Sequence, residues 1–312
     1  MIWPLLGVNN MRIYLSSIPP RVIDQYLAIF PDARLNILVS IALRNGNSLE
    51  YTNRLKSKFN SLILDSGAFT LNNIPKVEQV KCKVKVSIEQ YRDHLRYFGH
   101  HFDYVFSFDR HFHDDGLADN MVYHKMLEGL HPRIVPVVHD YQGEDANVFI
   151  GMKEPLIALG YSTEQKTEKN IAAVSKKLHG AGKLVHALGV SNYARLINNP
   201  IAFCDSTTWN QPGQWRVLTY WSESKADDDK TEKIFFKDWA ITTKRTDPKK
   251  DFLVHEKKEE ITEHLKIFGY KENDLAGESN MDKRIIVQIH YYQKLQEVIT
   301  ANHVKLGWNF PF

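Results

Sequence analysis

Short apolar runs recur along the chain, and each of them ends in small or polar residues. Runs of this kind that are rich in β-branched or aromatic residues are typical of strands. The segments 62–64 and 134–138 are apolar throughout, which is typical of parallel strands that are buried on both faces. The sequence predicts eight strands, over residues 11–16, 35–43, 61–65, 103–109, 133–139, 155–161, 183–190 and 201–205.

The segments between the strands have helical patterns. Ser87 is followed three residues later by Gln90, which is the capping-box pattern of a helix start. Helices are predicted over residues 22–30, 49–59, 87–98, 117–130, 144–152, 164–178 and 193–197. Strand–helix alternation indicates a parallel sheet. Eight units favour closure into a (β/α)₈ TIM barrel, and the alternative is a doubly wound open sheet.

The chain changes in character after Trp221. Residues 233–243 and 252–255 are candidate strands of an excursion from the barrel. A last helix is predicted because apolar residues of segment 283–302 share one face, namely Ile285, Ile289, Tyr292 and Leu295. We expect a single domain over residues 1–312, with a barrel core at 11–222, an excursion at 223–283 and a final helix at 284–302.

Composition narrows the class of protein. The 312 residues are 43% hydrophobic and 25% charged, as in ordinary globular proteins. Cys82 and Cys204 are too few for a disulfide framework, which favours a reducing, cytoplasmic location. Residues 1–10 do not resemble a signal peptide, and no apolar stretch is long enough to span a membrane. A net charge of +3 permits a polyanionic partner without requiring one.

Acidic residues stand where a barrel places its active site, at the carboxyl ends of strands. Asp65, Asp109 and Asp205 end the third, fourth and eighth predicted strands, and His139 ends the fifth. Crowded carboxylates have pKa values that are pushed apart, so that one can act as a nucleophile while another transfers protons. Paired carboxylates are also the groups that glycosidic chemistry uses. We therefore predict Asp65 and Asp205 as the catalytic pair.

Each of these residues also has an ordinary interpretation. An aspartate after a strand often caps the next helix, and we favour that role for Asp140. Gly160 and Gly189 fit simple turns, but their bare backbone would also admit a flat ligand. Phe69 and Trp209 are either core residues or platforms on which a base stacks. The joint placement of the aspartates at one end of the barrel favours the functional interpretation.

A loop of histidines and aspartates invites comparison with metal sites. Histidines two residues apart can bind zinc or iron. No third ligand has suitable spacing, so we favour a solvated loop and expect neither a metal nor another cofactor. The residues concerned are His111, His113, Asp114 and Asp115.

The ordered motifs resemble the tRNA-guanine transglycosylase superfamily, and most closely its small branch from phages and bacterial DNA-modification clusters. The resemblance spans about residues 11–222. The motifs are Asp-Ser-Gly-Ala-Phe at 65–69, Phe-Asp at 108–109, Leu-Gly at 159–160, His-Ala-Leu-Gly-Val at 186–190 and Asp-Ser-Thr-Thr-Trp at 205–209.

This resemblance implies a (β/α)₈ barrel that exchanges nucleobases by pentosyl transfer. Asp205 matches the nucleophile that attacks C1′, and Asp65 matches the general acid/base, with Ser66 nearby. Asp109 matches the aspartate that recognises the guanine edge. The backbone at Leu159 and Gly160 matches the segment that binds the base carbonyl, and Leu188 and Gly189 match the segment that packs on the ring. The incoming base would be a 7-deazaguanine such as preQ0.

Two departures from the family pattern change the expected substrate. The tRNA enzymes carry a zinc site built from three cysteines and a histidine after the last strand, whereas no cysteine follows Cys204 here. Because that zinc subdomain supports tRNA binding, its absence favours DNA as the substrate. His139 stands where the family often has a glutamine, which alters a direct contact to the base.

Four functions follow as hypotheses. We favour base exchange on DNA, a glycosyltransferase activity. The alternatives are a zinc-less tRNA-guanine transglycosylase, an N-glycosidase that releases a base to water, and an inactive nucleic-acid-binding barrel. Basic residues that are candidates for phosphate contacts, each of which could equally be plain surface, are Arg110, Lys125, Arg216, Lys244, Arg245, Lys249 and Lys250.

Overall fold

The structure is a computed structural model that describes residues 11–16, 18–42, 51–68, 86–110, 116–160, 166–210, 217–235, 252–276 and 280–311. The described residues fall into two compact units. The first takes in Met1–Pro20, Arg34–Ser206 and Thr300–Phe312, and the second takes in Arg21–Ala33 and Thr207–Ile299.

Eight parallel strands form the first unit. They are β1 (Arg12–Ser16), β2 (Leu35–Ser40), β3 (Phe59–Asp65), β4 (Tyr104–Phe106), β5 (Ile134–Val135 and Val137–Val138, on either side of Pro136), β6 (Leu156–Leu159), β7 (Leu184–Ala187) and β8 (Phe203–Ser206). All eight predicted strands are present, so this part of the prediction is confirmed.

The strands close into a barrel through the divided strand β5. Its first half pairs with β4 and its second half pairs with β6, while β1 pairs with both β2 and β8. Proline has no N–H to donate. The Pro136 carbonyl nevertheless accepts from the N–H of Ala158 at 2.9 Å, so the ladder to β6 continues past the proline. The chain is therefore a (β/α)₈ barrel, and the alternative of an open sheet is wrong.

The helices of the described part of the chain lie between the barrel strands in sequence, except for the last two, which follow all the strands. They are α1 (Pro20–Ile29), α2 (Ile88–Phe98), α3 (Gly116–Leu127), α4 (Asp145–Ile150), α5 (Glu168–Gly180), α6 (Tyr193–Ile197), α7 (Lys258–Lys266) and α8 (Met281–Lys305). The predicted capping box at the start of α2 is confirmed. The Ser87 hydroxyl accepts from the N–H of Gln90 at 3.2 Å, and the Gln90 side chain accepts from the N–H of Ser87 at 3.1 Å.

The predicted helix at 49–59 differs from the structure. Its described part consists of one π-helical turn, Tyr51–Leu55, and one 3₁₀ turn, Lys56–Lys58. Strand β3 already begins at Phe59, whose partner in β2 is Leu35. Parallel pairing and burial of Phe59 therefore prevail over the helical pattern of the preceding residues.

Aromatic rings fill the inside of the barrel beneath the carboxyl ends of the strands. The rings of Tyr14 and His186 stack with centroids 5.8 Å apart, and Phe106 meets His186 edge-on at 5.0 Å. Phe203 packs edge-on against both Tyr14 and Tyr104. All five side chains are buried. This packed layer forms a rigid floor below the residues at the strand ends.

The second unit holds a small antiparallel sheet of β9 (Val217–Trp221) and β10 (Thr231–Phe235). The barrel strands end at Ser206, before the limit of 222 that was expected for the barrel core. Residues 252–254 form a turn and His255 has no regular structure, so the prediction of a strand there is wrong. The Phe252 N–H donates to the Phe235 carbonyl at 2.7 Å. The other predicted excursion strand was 233–243. Residues 233–235 belong to β10, and residues 236–243 lie outside the described residues.

The last helix, α8, buries the apolar face that the sequence predicts. Ile285, Ile289 and Leu295 are fully buried and Tyr292 is nearly so. The Arg284 side chain is also buried, and its Nη1 donates to the carbonyl of Leu275 at 2.8 Å. None of the described helices combines the length and the apolar character needed to cross a membrane.

Gly67 offers a test of packing at the end of β3. It has φ +76°, and a Cβ there would lie 2.3 Å from the Cβ of Ala42, whereas Gly182 has φ +79° and nothing within 4 Å. Both alanine variants should incur backbone strain of about 1 kcal/mol. We expect Gly67→Ala to lose about 1–3 kcal/mol more in the free energy of unfolding, because of the clash. Urea denaturation of both variants measures the difference, and equal losses would contradict it.

Candidate active site

The three aspartates and the histidine that were predicted from strand ends stand at the carboxyl ends of the barrel strands. Asp65 is the last residue of β3, Asp205 lies within β8, and Asp109 and His139 follow β4 and β5. Asp65 is close enough to Asp109 and Asp205 to interact with both charges. The structure thus brings the predicted catalytic pair and the predicted base-reading aspartate into one mouth.

The carboxylate of Asp205 is held by three donors. Its Oδ1 accepts from Nε2 of His186 at 3.2 Å and from the N–H of Gly189 at 2.9 Å. Among the described residues, its Oδ2 accepts from the hydroxyl of Ser16 alone, at 3.2 Å. Asp205 is 7% exposed. The two donors on Oδ1 fix the orientation of the side chain, and Oδ2 is left as the oxygen with more room to react.

His186 is a residue of this site that the sequence did not single out. It is fully buried among aromatic rings, and its Nδ1 has no hydrogen-bond partner among the described residues. Because a carboxylate only accepts, Nε2 must carry the proton that bonds to Asp205. His186 belongs to the motif at 186–190, and its placement on the strand beside β8 is the signal that could have identified it.

Asp109 is the centre of a second buried network. Its Oδ1 accepts from the hydroxyl of Ser66 at 2.8 Å, and its Oδ2 lies 3.1 Å from Nε2 of His139. Asp109 and His139 are each 6% exposed, and Ser66 is fully buried. The imidazole expected to contact a base directly is therefore turned onto Asp109. A carboxylate has about four lone-pair positions, so Asp109 can still accept from a ligand.

The side of Gly160 on which a Cβ would lie is filled by protein, so this side of the backbone is not open to a ligand. A Cβ at this position would lie 2.5 Å from Cγ1 of Val137 and 2.6 Å from Cε1 of His139, so side chains already fill the space. The N–H of Gly160 donates to the Val138 carbonyl, and its own carbonyl accepts from the hydroxyl of Tyr141 at 2.7 Å. Gly160 is required here because His139 packs against it.

The turn after β7 also uses its backbone groups within the protein. The N–H of Leu188 donates to the Leu159 carbonyl at 3.0 Å, and the Leu188 carbonyl accepts from Nζ of Lys166 at 2.6 Å. Gly189 has φ +65°, which directs its N–H onto Asp205. The prediction that bare amides at Gly189 meet a ligand is therefore corrected, because this amide holds the carboxylate. Lys166 is a further residue that the sequence did not single out.

Asp65 differs from Asp205 in its electrostatic environment. Burial raises the pKa of the Asp65 carboxyl to about 7, and the negative charges of Asp109 and Asp205 act in the same direction. The Ser40 hydroxyl and the N–H of Gly67 oppose this shift, and the Gly67 N–H donates to Oδ2 at 3.0 Å. Near neutral pH, Asp65 therefore exists in both protonation states, as a group that gives and takes a proton must.

Asp140 holds a turn and does not cap a helix, so the predicted helix cap at this residue is wrong. Its Oδ1 accepts from the N–H groups of Gln142 and Gly143. The helix that follows, α4, is preceded instead by Glu144, whose side chain makes no capping hydrogen bond. Asp145 secures this turn, because its Oδ2 accepts from the N–H groups of both His139 and Asp140 at 3.0 Å.

The other predicted site residues are distributed differently. Arg110 and Lys125 are exposed. Trp209 is buried in a 3₁₀ turn of the second unit. Several predicted residues lie outside the described residues, namely Phe69, Arg216, Lys244, Arg245, Lys249, Lys250 and the candidate metal ligands His111, His113, Asp114 and Asp115.

Comparisons with known proteins find no close relative. No protein-family model matches the sequence, and no curated protein matches it. Among solved structures, one described as native KDPGal has a TM-score of 0.38 and 13% identity, covering 66% of this chain and 84% of its own. A designed cube-shaped protein cage has a TM-score of 0.39 and 11% identity, covering 64% of this chain and 63% of its own.

A third similar structure is described as a fructose-1,6-biphosphate aldolase from Coccidioides immitis. It has a TM-score of 0.40 and 7% identity, covering 96% of this chain and 91% of its own. Similarities of this extent carry no argument about activity. The assignment of the barrel rests on the strand pairing alone.

The raised pKa of Asp65 predicts a pH dependence of stability. The folded state binds this proton more tightly than the unfolded chain, so the stabilisation is fully present below about pH 4 and is lost as the pH rises through about 7. Relative to Asp65→Asn, the wild type should lose roughly 2–4 kcal/mol between about pH 4 and about pH 8. Denaturant unfolding at each pH measures this loss.

The exposed carboxylate Asp228 provides the control, since Asp228→Asn makes the same chemical change on the surface. Its unfolding curve should follow that of the wild type at every pH. A wild-type stability that changes with pH in parallel with that of Asp65→Asn would contradict the assigned pKa.

Proposed function

We propose that this protein is a base-exchange transglycosylase that replaces guanine in DNA with a 7-deazaguanine such as preQ0. The observation that carries the proposal is a pair of neighbouring carboxylates in opposite environments. Three donors hold Asp205, and burial raises the pKa of Asp65 to about 7. Such a pair supplies a nucleophile and a proton donor from the same type of side chain. The family resemblance assigns the same two roles to the same two residues.

In the first half of the reaction, Oδ2 of Asp205 attacks C1′ of a deoxyguanosine. The C1′–O bond forms as the C1′–N9 bond breaks, and the electron pair of the broken bond goes to guanine. Protonated Asp65 gives its proton to the departing base, so that guanine leaves as a neutral molecule. The product of this half is a covalent glycosyl ester of Asp205.

In the second half, the incoming base loses a proton to the carboxylate of Asp65. Its nitrogen attacks C1′, the ester bond breaks, and Asp205 leaves as a carboxylate. Asp65 ends the cycle protonated, as it began, so no cofactor is consumed. His186 and Gly189 keep Oδ1 fixed in both halves, because their hydrogen bonds are on the oxygen that does not react.

Recognition of the base is assigned to Asp109. Guanine presents N1–H and a 2-amino group as adjacent donors, and a carboxylate is an acceptor. Ser66 and His139 each bond to one oxygen of Asp109 and fix the plane of its carboxylate. A fixed plane favours a base whose two donors match it. The resemblance further predicts that the backbone at Leu159–Gly160 binds the base carbonyl and that Leu188–Gly189 packs on the ring.

DNA is favoured over tRNA because the cysteines of the zinc subdomain are missing after Cys204. A guanine within a duplex would have to leave the stack to reach the barrel mouth, and a single strand removes that cost. Basic side chains would hold the phosphates, so binding should weaken as salt increases. The residues predicted for this contact include Arg110, which is exposed and follows Asp109 directly.

The direct test uses labelled preQ0 with guanine-containing DNA, single-stranded and duplex, and with tRNA in parallel. Incorporation of label into DNA, with guanine released in equal amount, supports the proposal. Incorporation only into tRNA would identify a zinc-less tRNA enzyme instead. Guanine release without incorporation would identify a hydrolase. Binding of DNA without either reaction would contradict catalysis altogether.

Asp205→Asn should abolish exchange while leaving DNA binding intact. The amide cannot form the glycosyl ester, so we expect the exchange rate to fall roughly 10⁴-fold or more. Asp140→Asn is the matched control, since it changes another aspartate at a strand end whose acceptor oxygen serves only a turn. Label incorporation and filter binding measure the two properties. Exchange at the wild-type rate by Asp205→Asn would exclude Asp205 as the nucleophile.

Asp109→Asn should weaken recognition of guanine. An amide presents a donor where the purine also presents one, so KM for the guanine substrate should rise by about 10-fold or more. Ser66→Ala separates this effect from loss of the internal hydrogen bond, since it removes the donor to Oδ1 and keeps the carboxylate. Steady-state kinetics of both variants give the comparison. An equal rise in KM for the two variants would contradict direct recognition by Asp109.

A further inference from the structure

Two basic side chains near the mouth have no role in the reaction described above: Lys166 interacts with the charge of Asp205, and Arg195 interacts with Lys166. Lys166 precedes α5, and Arg195 lies on α6, so they follow β6 and β7 at the same end of the barrel as the aspartates. Nζ of Lys166 donates to the Leu188 carbonyl at 2.6 Å and would lie 3.8 Å from a Cβ at Gly189. The neighbouring N–H, that of Gly189, binds Asp205. The Lys166 ammonium is therefore bonded to the residue that precedes Gly189, and the N–H of Gly189 holds the carboxylate of Asp205.

The two cations also influence each other and the nucleophile. Burial lowers the pKa of Lys166, the charge of Asp205 opposes that shift, and the charge of Arg195 adds to it. Arg195 acts in addition on the hydroxyl of Tyr141, which belongs to the loop after β5. The charges of Lys166, Arg195 and Asp205 are thus gathered at the ends of neighbouring strands.

Most of the donors on these cations are uncommitted within the described part of the chain. An ammonium has three N–H groups, and one of those on Lys166 bonds to Leu188. A guanidinium has five N–H groups, and Arg195 uses only backbone atoms in its hydrogen bonds to described residues. Neither residue lies within ion-pair distance of a described carboxylate. Half-buried cations without such a partner are costly unless an anion joins them.

We propose that Lys166 and Arg195 form a subsite for a phosphate group of the nucleotide that Asp205 attacks. The proposal rests on the proposed function, and it adds a binding site for the backbone next to the reacting sugar. Barrels often bind phosphate at the loops after their last strands, and the turn at Leu188 and Gly189 is such a loop. The planar guanidinium of Arg195 and the ammonium of Lys166 can together donate hydrogen bonds to several oxygens of one phosphate.

The position of Lys166 explains why this contact is useful to the reaction. Asp205 is an anion that must approach a sugar flanked by anionic phosphates. An ammonium between the carboxylate and a phosphate attracts both and reduces their mutual repulsion. Because Leu188 anchors Lys166, the charge stays in place before the substrate arrives. The subsite thereby sets the register in which C1′ meets Oδ2 of Asp205.

The test is a thermodynamic cycle in which the charge is removed from the protein side chain, from the DNA phosphate, or from both. A single-stranded DNA oligonucleotide with one guanosine is compared with two versions that carry a neutral methylphosphonate on the 5′ or the 3′ side of that guanosine. Fluorescence anisotropy gives the affinity of each for wild type and for Lys166→Gln, without preQ0, so that no exchange is needed. For the wild type, one of the two methylphosphonates should weaken binding about 5- to 10-fold.

For Lys166→Gln, the same methylphosphonate should have little effect on affinity. The slope of the logarithm of the binding constant against the logarithm of salt concentration should become shallower by about one, which corresponds to one phosphate contact. Lys166→Arg should restore most of the affinity because it keeps the charge. Arg195→Gln should show the same coupling to the same phosphate. The matched control is Lys169→Gln, which removes an exposed lysine at the start of α5. Equal losses for Lys169→Gln, or methylphosphonate effects unchanged by Lys166→Gln, would overturn the subsite.

Two further ligands identify the source of the phosphate. If no oligonucleotide binds, 5′-GMP and inorganic phosphate are titrated against the same variants. Binding of either that is lost in Lys166→Gln supports a subsite for a free nucleotide, and binding that is absent or unchanged overturns the proposal. Failure of base exchange together with intact coupling at Lys166 would refute the proposed reaction while leaving the subsite standing.

Discussion

The mouth of the barrel must hold three carboxylates close together, where burial and their mutual repulsion both disfavour charge. The structure meets this constraint in two ways. Asp205 and Asp109 are surrounded by hydrogen-bond donors from neighbouring strands. Asp65 has fewer donors and a pKa raised to about 7, so it can hold a proton near neutral pH. The roles that we propose for Asp205 and Asp65, nucleophile and proton carrier, rest on this difference in surroundings.

The strand ends were predictable because they depend on local patterns. Apolar runs that stop at Asp65, Asp109 and Asp205 mark buried strands, and a barrel gathers the carboxyl ends of its strands at one face. The capping box at Ser87 is equally local. The predictions that differ from the structure concern residues whose secondary structure depends on pairing with another strand. Phe59 joins β3 by pairing with Leu35, a contact that the helical pattern of 49–59 does not show.

The supporting residues were not predictable because their partners are distant in sequence. Ser16 reaches Asp205 only because β1 pairs with β8, with Tyr14 beside Asp205 in the register. Lys166 contacts Leu188 across two loops. The sequence also does not show that the ring of His139 packs against Gly160, on the side where a Cβ would lie. A single sequence identifies the candidate reacting groups by position, but the groups that orient them depend on which strands become neighbours.

The hydrogen bond from Ser16 to Asp205 joins the first strand of the barrel to the last. A growing chain on the ribosome therefore cannot complete the surroundings of Asp205 until more than two hundred residues have emerged, because β8 ends at Ser206. A chain in which β1 has not paired with β8 lacks this third donor to Asp205 and keeps those from His186 and Gly189. The complete hydrogen bonding of Asp205 is thus tied to closure of the barrel.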